Sequence, residues 1–347
     1  MNEPVTLAQP DLDEIGPPAT PLLRRLLASS TAGYLLAFDI LLIAFFSLVS
    51  HGHVFASWEN AESMVGNAAE GLLLALGLTI MLSAGIFDLS LGANLILSSV
   101  AGAVLLQHLV LAGAQSVSAG DAILAAVACI VAGAIFGLVN GLIITVIGVN
   151  SLIATLGTLG IGTGIALVVT SGSDISGLPA SLQTDFALKQ VFRIPLPALI
   201  AVVLTVVLWA VLKYTRYGMR TLAIGSNRAA AEYSGLRVTR HLISLAMLGG
   251  ALAGAAGFID IARFGATNTG GHTLDALNAA TAVVIGGTAL MGGRASMFGT
   301  LWGIVLTSVL LDGLIVLNVQ SFYQQIATGA ILIAAVATDR IRAARRV

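Results

Sequence analysis

Long apolar runs separated by short polar stretches make up almost the whole chain after residue 30. A helix crossing the hydrocarbon core of a bilayer takes about 20 mostly apolar residues. Runs of that kind fall at 32–50, 67–86, 91–111, 121–143, 150–170, 196–214, 241–262, 276–291, 297–318 and 322–338. The pattern predicts an all-α, polytopic membrane protein of about ten transmembrane helices. The eighth run is short and ends at Gly286 and Gly287, so it is not expected to cross fully. Residues 1–30 are acidic, Pro-containing and aperiodic, which predicts a mobile tail. The transmembrane domain then covers 31–339, and 340–347 form a basic tail. The first apolar run is too long for a signal-peptide core and carries Asp39, so it is expected to be retained as a span.

Composition narrows the class further. The chain is 57% hydrophobic and only 10% charged, whereas soluble domains carry roughly a quarter charged residues. A water-facing surface cannot be made from it, which excludes an ordinary cytosolic enzyme. The 39 glycines suit helices whose backbones approach closely in lipid. A net charge of -1 leaves no basic surplus for phosphates, so no nucleic-acid partner is expected. The single cysteine, Cys129, excludes an internal disulfide and a Cys-rich metal cluster. His51 and His53 stand together without a nearby acid, and no metal site is expected.

Cations set the orientation. With the amino terminus inside, all of the 16 Lys plus Arg except Lys189, Arg193 and Arg263 fall on the cytoplasmic side, as the positive-inside rule requires. An even number of spans returns the carboxyl terminus to the cytoplasm. Two stretches, 138–157 and 310–329, can be laid against each other with a two-residue shift after a shared Gly-Leu-Ile. They lie five spans apart, an odd offset, so an inverted five-helix repeat is the candidate symmetry. Such repeats place a substrate route at their interface.

No G-x-x-x-x-G-K-[ST] loop is present: the only lysines, Lys189 and Lys213, follow no Gly-rich turn. The chain therefore does not itself hydrolyse nucleotide, and no enzyme activity is expected. Asp39, Glu70, Asp88, Asp260 and Asp312 lie in or near spans, where an ionisable group is costly unless it caps, pairs or meets water. Asp39, Glu70 and Asp260 are read as sitting near span ends, hydrated at the interface. The longest inward loop, 214–241, predicts a short helix from Arg228 to Ser234. Ser226 or Asn227 caps it, Ala229 to Ala231 favour it, and Gly235 closes it in a left-handed conformation. A small-residue helix ringed by cations is suited to the groove of a partner protein, or it simply anchors the loop at the lipid surface.

Three ordered motifs decide between these. YGMRTLAIGSNRAAAEYSGLRV (217–238), GIFDLSLG (85–92) and AATAVVIGGTALMGGRASMFGTLWG (279–303) resemble signatures of the membrane permeases of ATP-binding-cassette importers of the ribose, xylose and galactose class. The resemblance runs from about Asn67 to Asp339. It implies a homodimeric permease in a bacterial inner membrane, with a separate ATPase carrying ATP and magnesium and a periplasmic binding protein delivering sugar. It assigns the coupling segment to Gly225, Asn227, Ala230, Ala231, Glu232 and Gly235, and motif positions to Asp88, Ser90, Gly286, Gly287, Gly292 and Gly293. Ile86, Phe87, Asn150, Leu152, Ala295 and Asp312 depart from the family pattern, which leaves the exact solute open.

A neutral sugar is held by hydrogen bonds and apolar walls, so Asn94, Asn140, Asn150, Asn278, Asp312 and Gln324 are the pathway candidates. Asp88 with Ser90 is read as a cap on the third span, and the glycine pairs as turns around the eighth. Alternatives within transport are a permease for nucleosides, branched-chain amino acids or a signalling sugar. Outside that class stand an ion-coupled carrier using Asp88 or Asp312 and a membrane scaffold or receptor.

Overall fold

The computed structural model describes residues 31–110 and 114–344; the expected tail at 1–30 lies outside them, as do 345–347. In chain order the helices are α1 (Thr31–Val49), α2 (Trp58–Ser83), α3 (Leu91–Leu109), α4 (Ala119–Leu142, prolonged by a π turn Ile143–Ile147), α5 (Ser151–Val169) and α6 (Leu196–Tyr214). Then follow α7 (Arg216–Ser226), α8 (Arg228–Tyr233), α9 (Val238–Phe264), α10 (Asp275–Ile285), α11 (Met297–Val316) and α12 (Ser321–Ala344). A two-residue pair of antiparallel strands, Gln190–Val191 and Ile194–Pro195, leads into α6. Among the described residues α1 to α6, α9 and α11 are long and apolar enough to cross a membrane, eight in all. The eighth run of the sequence is the short helix α10, and α12 supplies the tenth.

Caps rather than hydropathy set several boundaries. Ser57 accepts from Asn60 N–H at 3.1 Å and Glu59 sits in the first turn, so α2 starts at Trp58, well before the apolar run at 67. Ser118 caps α4 in the same way, through Asp121 N–H. At the other end α12 continues past Arg340 and Arg342 to Ala344, so the expected basic tail at 340–347 is helical over most of its length.

α2 and α9 form the centre, and α2 buries Leu73, Leu74, Leu76, Leu78 and Ile80 almost completely. They run antiparallel: Gly66 faces Arg263 and Gly77 faces Gly249. Around them the neighbour pattern repeats. α3 packs on α4, α5 and α9, while α10 packs on α11, α12 and α2; α4 packs on α9 as α11 packs on α2. The repeat is carried by α2 to α5 against α9 to α12. The leading helices α1 and α6 break it, because α1 packs on α11 whereas α6 packs on α2.

The contact between α4 and α9 is made by backbone. Gly133, Gly137 and Gly141 on one helix face Ala246, Gly250 and Gly254 on the other, and a Cβ at Gly133, Gly137 or Gly250 would strike the opposite main chain. With no hydrophobic driving force between helices in lipid, such close approach supplies the van der Waals contact that holds them together.

The chain leaves regular structure at 84–90 before α3 and at 265–274 before α10. The two helices that follow begin side by side: Gly92 of α3 abuts the His272 carbonyl and the Ala276 amide at the start of α10. Two helix amino termini, each the positive end of its dipole, thus converge inside the bundle, with Asp88 before one and Asp275 in the first turn of the other.

Candidate coupling site and buried polar centre

The 214–241 loop is more structured than its sequence suggests. Thr215 caps α7, accepting from Gly218 N–H at 3.2 Å, an eleven-residue helix that sequence reasoning missed because its amphipathic pattern is short and polar. Asn227 then caps α8 by accepting from Ala230 N–H at 3.0 Å, and Gly235 closes it at φ +81. α7 is fastened to the bundle. Gly225 lies against the Ser83 carbonyl and the Gly293 amide, Tyr217 bonds Ser244 at 2.9 Å and Thr221 bonds His241 at 2.7 Å. Gly293 N–H donates to the Ser83 carbonyl at 2.9 Å, tying the loop after α10 to the end of α2. Gly287, Gly292 and Gly293 all have positive φ, so that loop needs glycine there.

α8 projects from this platform. Ala229, Ala230 and Glu232 are exposed, and Tyr233 is 94% exposed. Arg228 pairs with Glu232 at 3.1 Å, an exposed contact of roughly 0.3–0.5 kcal/mol. Ala231 is buried in the hydrophobic core, and half-buried Gly225 abuts the main chain of Ser83 and Gly293. These two therefore hold the helix in place, and the surface available to a partner is Asn227, Ala230, Glu232 and their exposed neighbours. Beside α8 a cavity of about 490 Å³ is lined by Arg220, Arg237, Arg240 and His241 together with Ile224 and Leu236.

The six pathway candidates do not form one site. Asn94 is buried and donates to the carbonyls of Gly133 at 3.2 Å and Gly250 at 3.4 Å, joining α3 to α4 and α9. Asn140 donates to Ser90 Oγ at 2.7 Å and to Asp88 Oδ2 at 3.3 Å. Asn150 caps α5, accepting from Leu152 N–H at 3.0 Å. Gln324 donates to the Val319 carbonyl at 2.8 Å, and Asp312 accepts from Asn60 at 2.6 Å. Asn278 lies half-buried on α10.

The Asp88–Ser90 reading needs correction. Asp88 Oδ1 accepts from Ser90 N–H at 2.8 Å and Ser90 Oγ–H at 2.6 Å, and neither side chain reaches the free amides of α3. The pair braces its own turn against Asn140 instead. Asn140→Leu removes two donors from these buried acceptors and is expected to cost about 1–3 kcal/mol, read as a fall in the detergent unfolding midpoint.

Asp39, Glu70 and Asp260 are not hydrated at span ends. Asp39 is 1% exposed, Glu70 7% and Asp260 0%. α2 starts earlier than its apolar run, which puts Glu70 half-way along the helix, and the 265–274 segment folds back over Asp260. There His272 meets three acids: Nδ1 lies 2.7 Å from Asp275 and 3.3 Å from Glu70, and Nε2 lies 3.2 Å from Asp260. Arg263 closes the cluster, 3.9 Å from Glu70 and hydrogen-bonded to Asn67 at 2.7 Å. Burial works against a charged imidazole, but bonds to Asp260 and Asp275 and the Glu70 charge outweigh it and push His272 up to about 10. Nothing in the sequence signals this group, since its members come from α2, α9, α10 and the loop between the last two.

The family described as branched-chain amino acid transport system / permease component matches residues 61–336. The chain belongs to this permease family. Among curated proteins it is 38% identical to the ribose import permease of Bacillus subtilis, over 82% of this chain and 86% of that one. It is 32% identical to the D-allose transport system permease of Escherichia coli, over 87% and 89% of the two chains. The galactose/methyl galactoside import permease of Haemophilus influenzae is 30% identical over 88% of this chain and 94% of its own. No solved structure matches the permease.

Proposed function

We propose that this permease is the membrane-spanning subunit of an importer of a pentose or hexose, driven by a separate ATPase gripping α8. The relatives named for ribose, allose and galactose support the substrate class. The observation that carries the mechanism is the fastening of α7 and α8 to the inner ends of α2 and α9 and to the loop after α10. A partner that displaces α8 pulls on both halves of the repeat at once. Such a contact opens one side of the bundle as it closes the other.

In this scheme ATP and magnesium belong to the ATPase, a solute-binding protein delivers the sugar outside, and a second permease copy completes the pathway. The cations of α7, α8 and the start of α9 support a cytoplasmic position for this platform, in a bacterial inner membrane with both termini inside.

Reconstituted alone into liposomes, the permease is expected to accumulate no sugar under an imposed proton or sodium gradient. Accumulation should appear when ATPase, ATP and binding protein are supplied. Uptake of labelled ribose, allose and galactose measures both, and gradient-driven accumulation by the lone chain would overturn the proposal in favour of an ion-coupled carrier.

A further inference from the structure

α8 is too small to hold a partner by itself. Its six residues make a helix about 9 Å long and roughly 10 Å wide, so its exposed half offers under about 200 Å² by those dimensions. A stable protein contact covers about 800 Å² on each side. A partner seated on α8 therefore also covers the surface next to it. That surface includes the cavity of about 490 Å³. Gly235, which closes α8, is in its wall, and so is Leu236, whose N–H donates to the Ala231 carbonyl at 3.1 Å.

The charge around this cavity is of one sign. Arg220 from α7 and Arg237 and Arg240 from the start of α9 line it, and all are exposed. Its lining holds no Asp or Glu, and Arg220, Arg237 and Arg240 form no ion pair among the described residues. The nearest acid in sequence, Glu232, already pairs with Arg228 at 3.1 Å. α9 also starts here without a side-chain cap, so the positive end of its dipole adds to the same field. In water these guanidiniums are hydrated at little cost. Under a partner they lose that water, and unpaired charge so buried is strongly unfavourable. A partner that covers them must bring negative charge.

We propose that this cavity is a socket for acidic side chains of the ATPase, which enter beside α8 and pair with Arg220, Arg237 and Arg240. The inference rests on the reading that an ATPase grips α8, and it specifies what the gripping surface carries. A guanidinium takes a carboxylate through two parallel hydrogen bonds, which fixes orientation as well as attraction. Because Arg220 belongs to α7 and the other two to the start of α9, a pull on the socket acts on the platform and on that long helix together.

The test measures binding of the purified ATPase subunit to the full-length permease in detergent, at low and at high salt. Arg237→Glu and Arg240→Glu are each expected to weaken binding at least about tenfold. Rising salt should weaken the wild type far more than either variant. Arg216→Glu alters an exposed cation of α7 outside the cavity; it makes the same change in net charge and should cost less than about threefold. Should a reversal fail to fold, Arg237→Gln and Arg240→Gln are expected to show the same loss of salt dependence. Unaltered binding by the cavity variants, or an equal loss with Arg216→Glu, would overturn the socket and leave the α8 contact standing. No ATPase binding by the wild type would overturn the α8 reading and the socket with it. Phosphatidylglycerol co-purifying with each variant is measured in parallel: loss of bound lipid with ATPase binding intact would make the occupant a lipid headgroup and overturn the proposal.

Discussion

Ala230→Trp is expected to lower ATP-driven sugar uptake by at least tenfold while the permease still folds and the ATPase still hydrolyses ATP. Ala230 is exposed on α8 and contributes only its backbone N–H, given to Asn227, to the cap. A large side chain there leaves the helix intact and fills the space a docking groove would occupy. Uptake and ATPase activity measured on one proteoliposome preparation separate loss of coupling from loss of chemistry, and co-purification reports docking. The same substitution at Ala231 would be uninformative, because that side chain is buried and the variant would disturb the core. Normal uptake by Ala230→Trp would remove α8 from the coupling route.

Gly250→Leu is expected to be the most damaging single change to the fold. A Cβ at Gly250 meets the Gly133 carbonyl and the backbone of Gly137, so the obstruction is main chain on a rigid helix. Overpacking against flexible side chains costs typically 1–3 kcal/mol. Here neither helix can yield locally, and the whole α4–α9 contact must open, so the loss should lie at or above the top of that range. Gly329→Leu is the control, since a Cβ at Gly329 meets nothing. Thermal unfolding in detergent should show a large drop for the first and almost none for the second. Equal midpoints would mean that α4 and α9 are not joined by their backbones.

Part of the site was readable before any fold was known. The α8 helix, its Asn227 cap and its Gly235 stop follow from a few neighbouring residues, because capping is a local bond between a side chain and an amide two or three positions on. The short eighth helix followed likewise from a glycine pair that interrupts an apolar run. α7 was missed since its pattern mixes Arg, Gly and Thr, and only Thr215 below and the bundle beside it make a helix of those residues. The pathway asparagines were identified as polar groups in spans, but whether each faces a route or a neighbouring helix depends on what packs opposite.

The sequence by itself determined that the chain spans a membrane through helices and that a short small-residue helix lies among the cations of the 214–241 loop. These properties follow from hydropathy, length and capping, all of which act over a few turns of chain. Only the tertiary structure decided that Ala231 faces inward and Gly225 abuts Ser83 and Gly293, that Asp88 binds its own turn, and that Glu70, Asp260, His272 and Asp275 come together in one cluster. Burial and pairing of a charge depend on groups brought together from helices nearly 200 residues apart. Such proximity is set by the packing of backbones at glycine contacts, and local pattern carries no record of it.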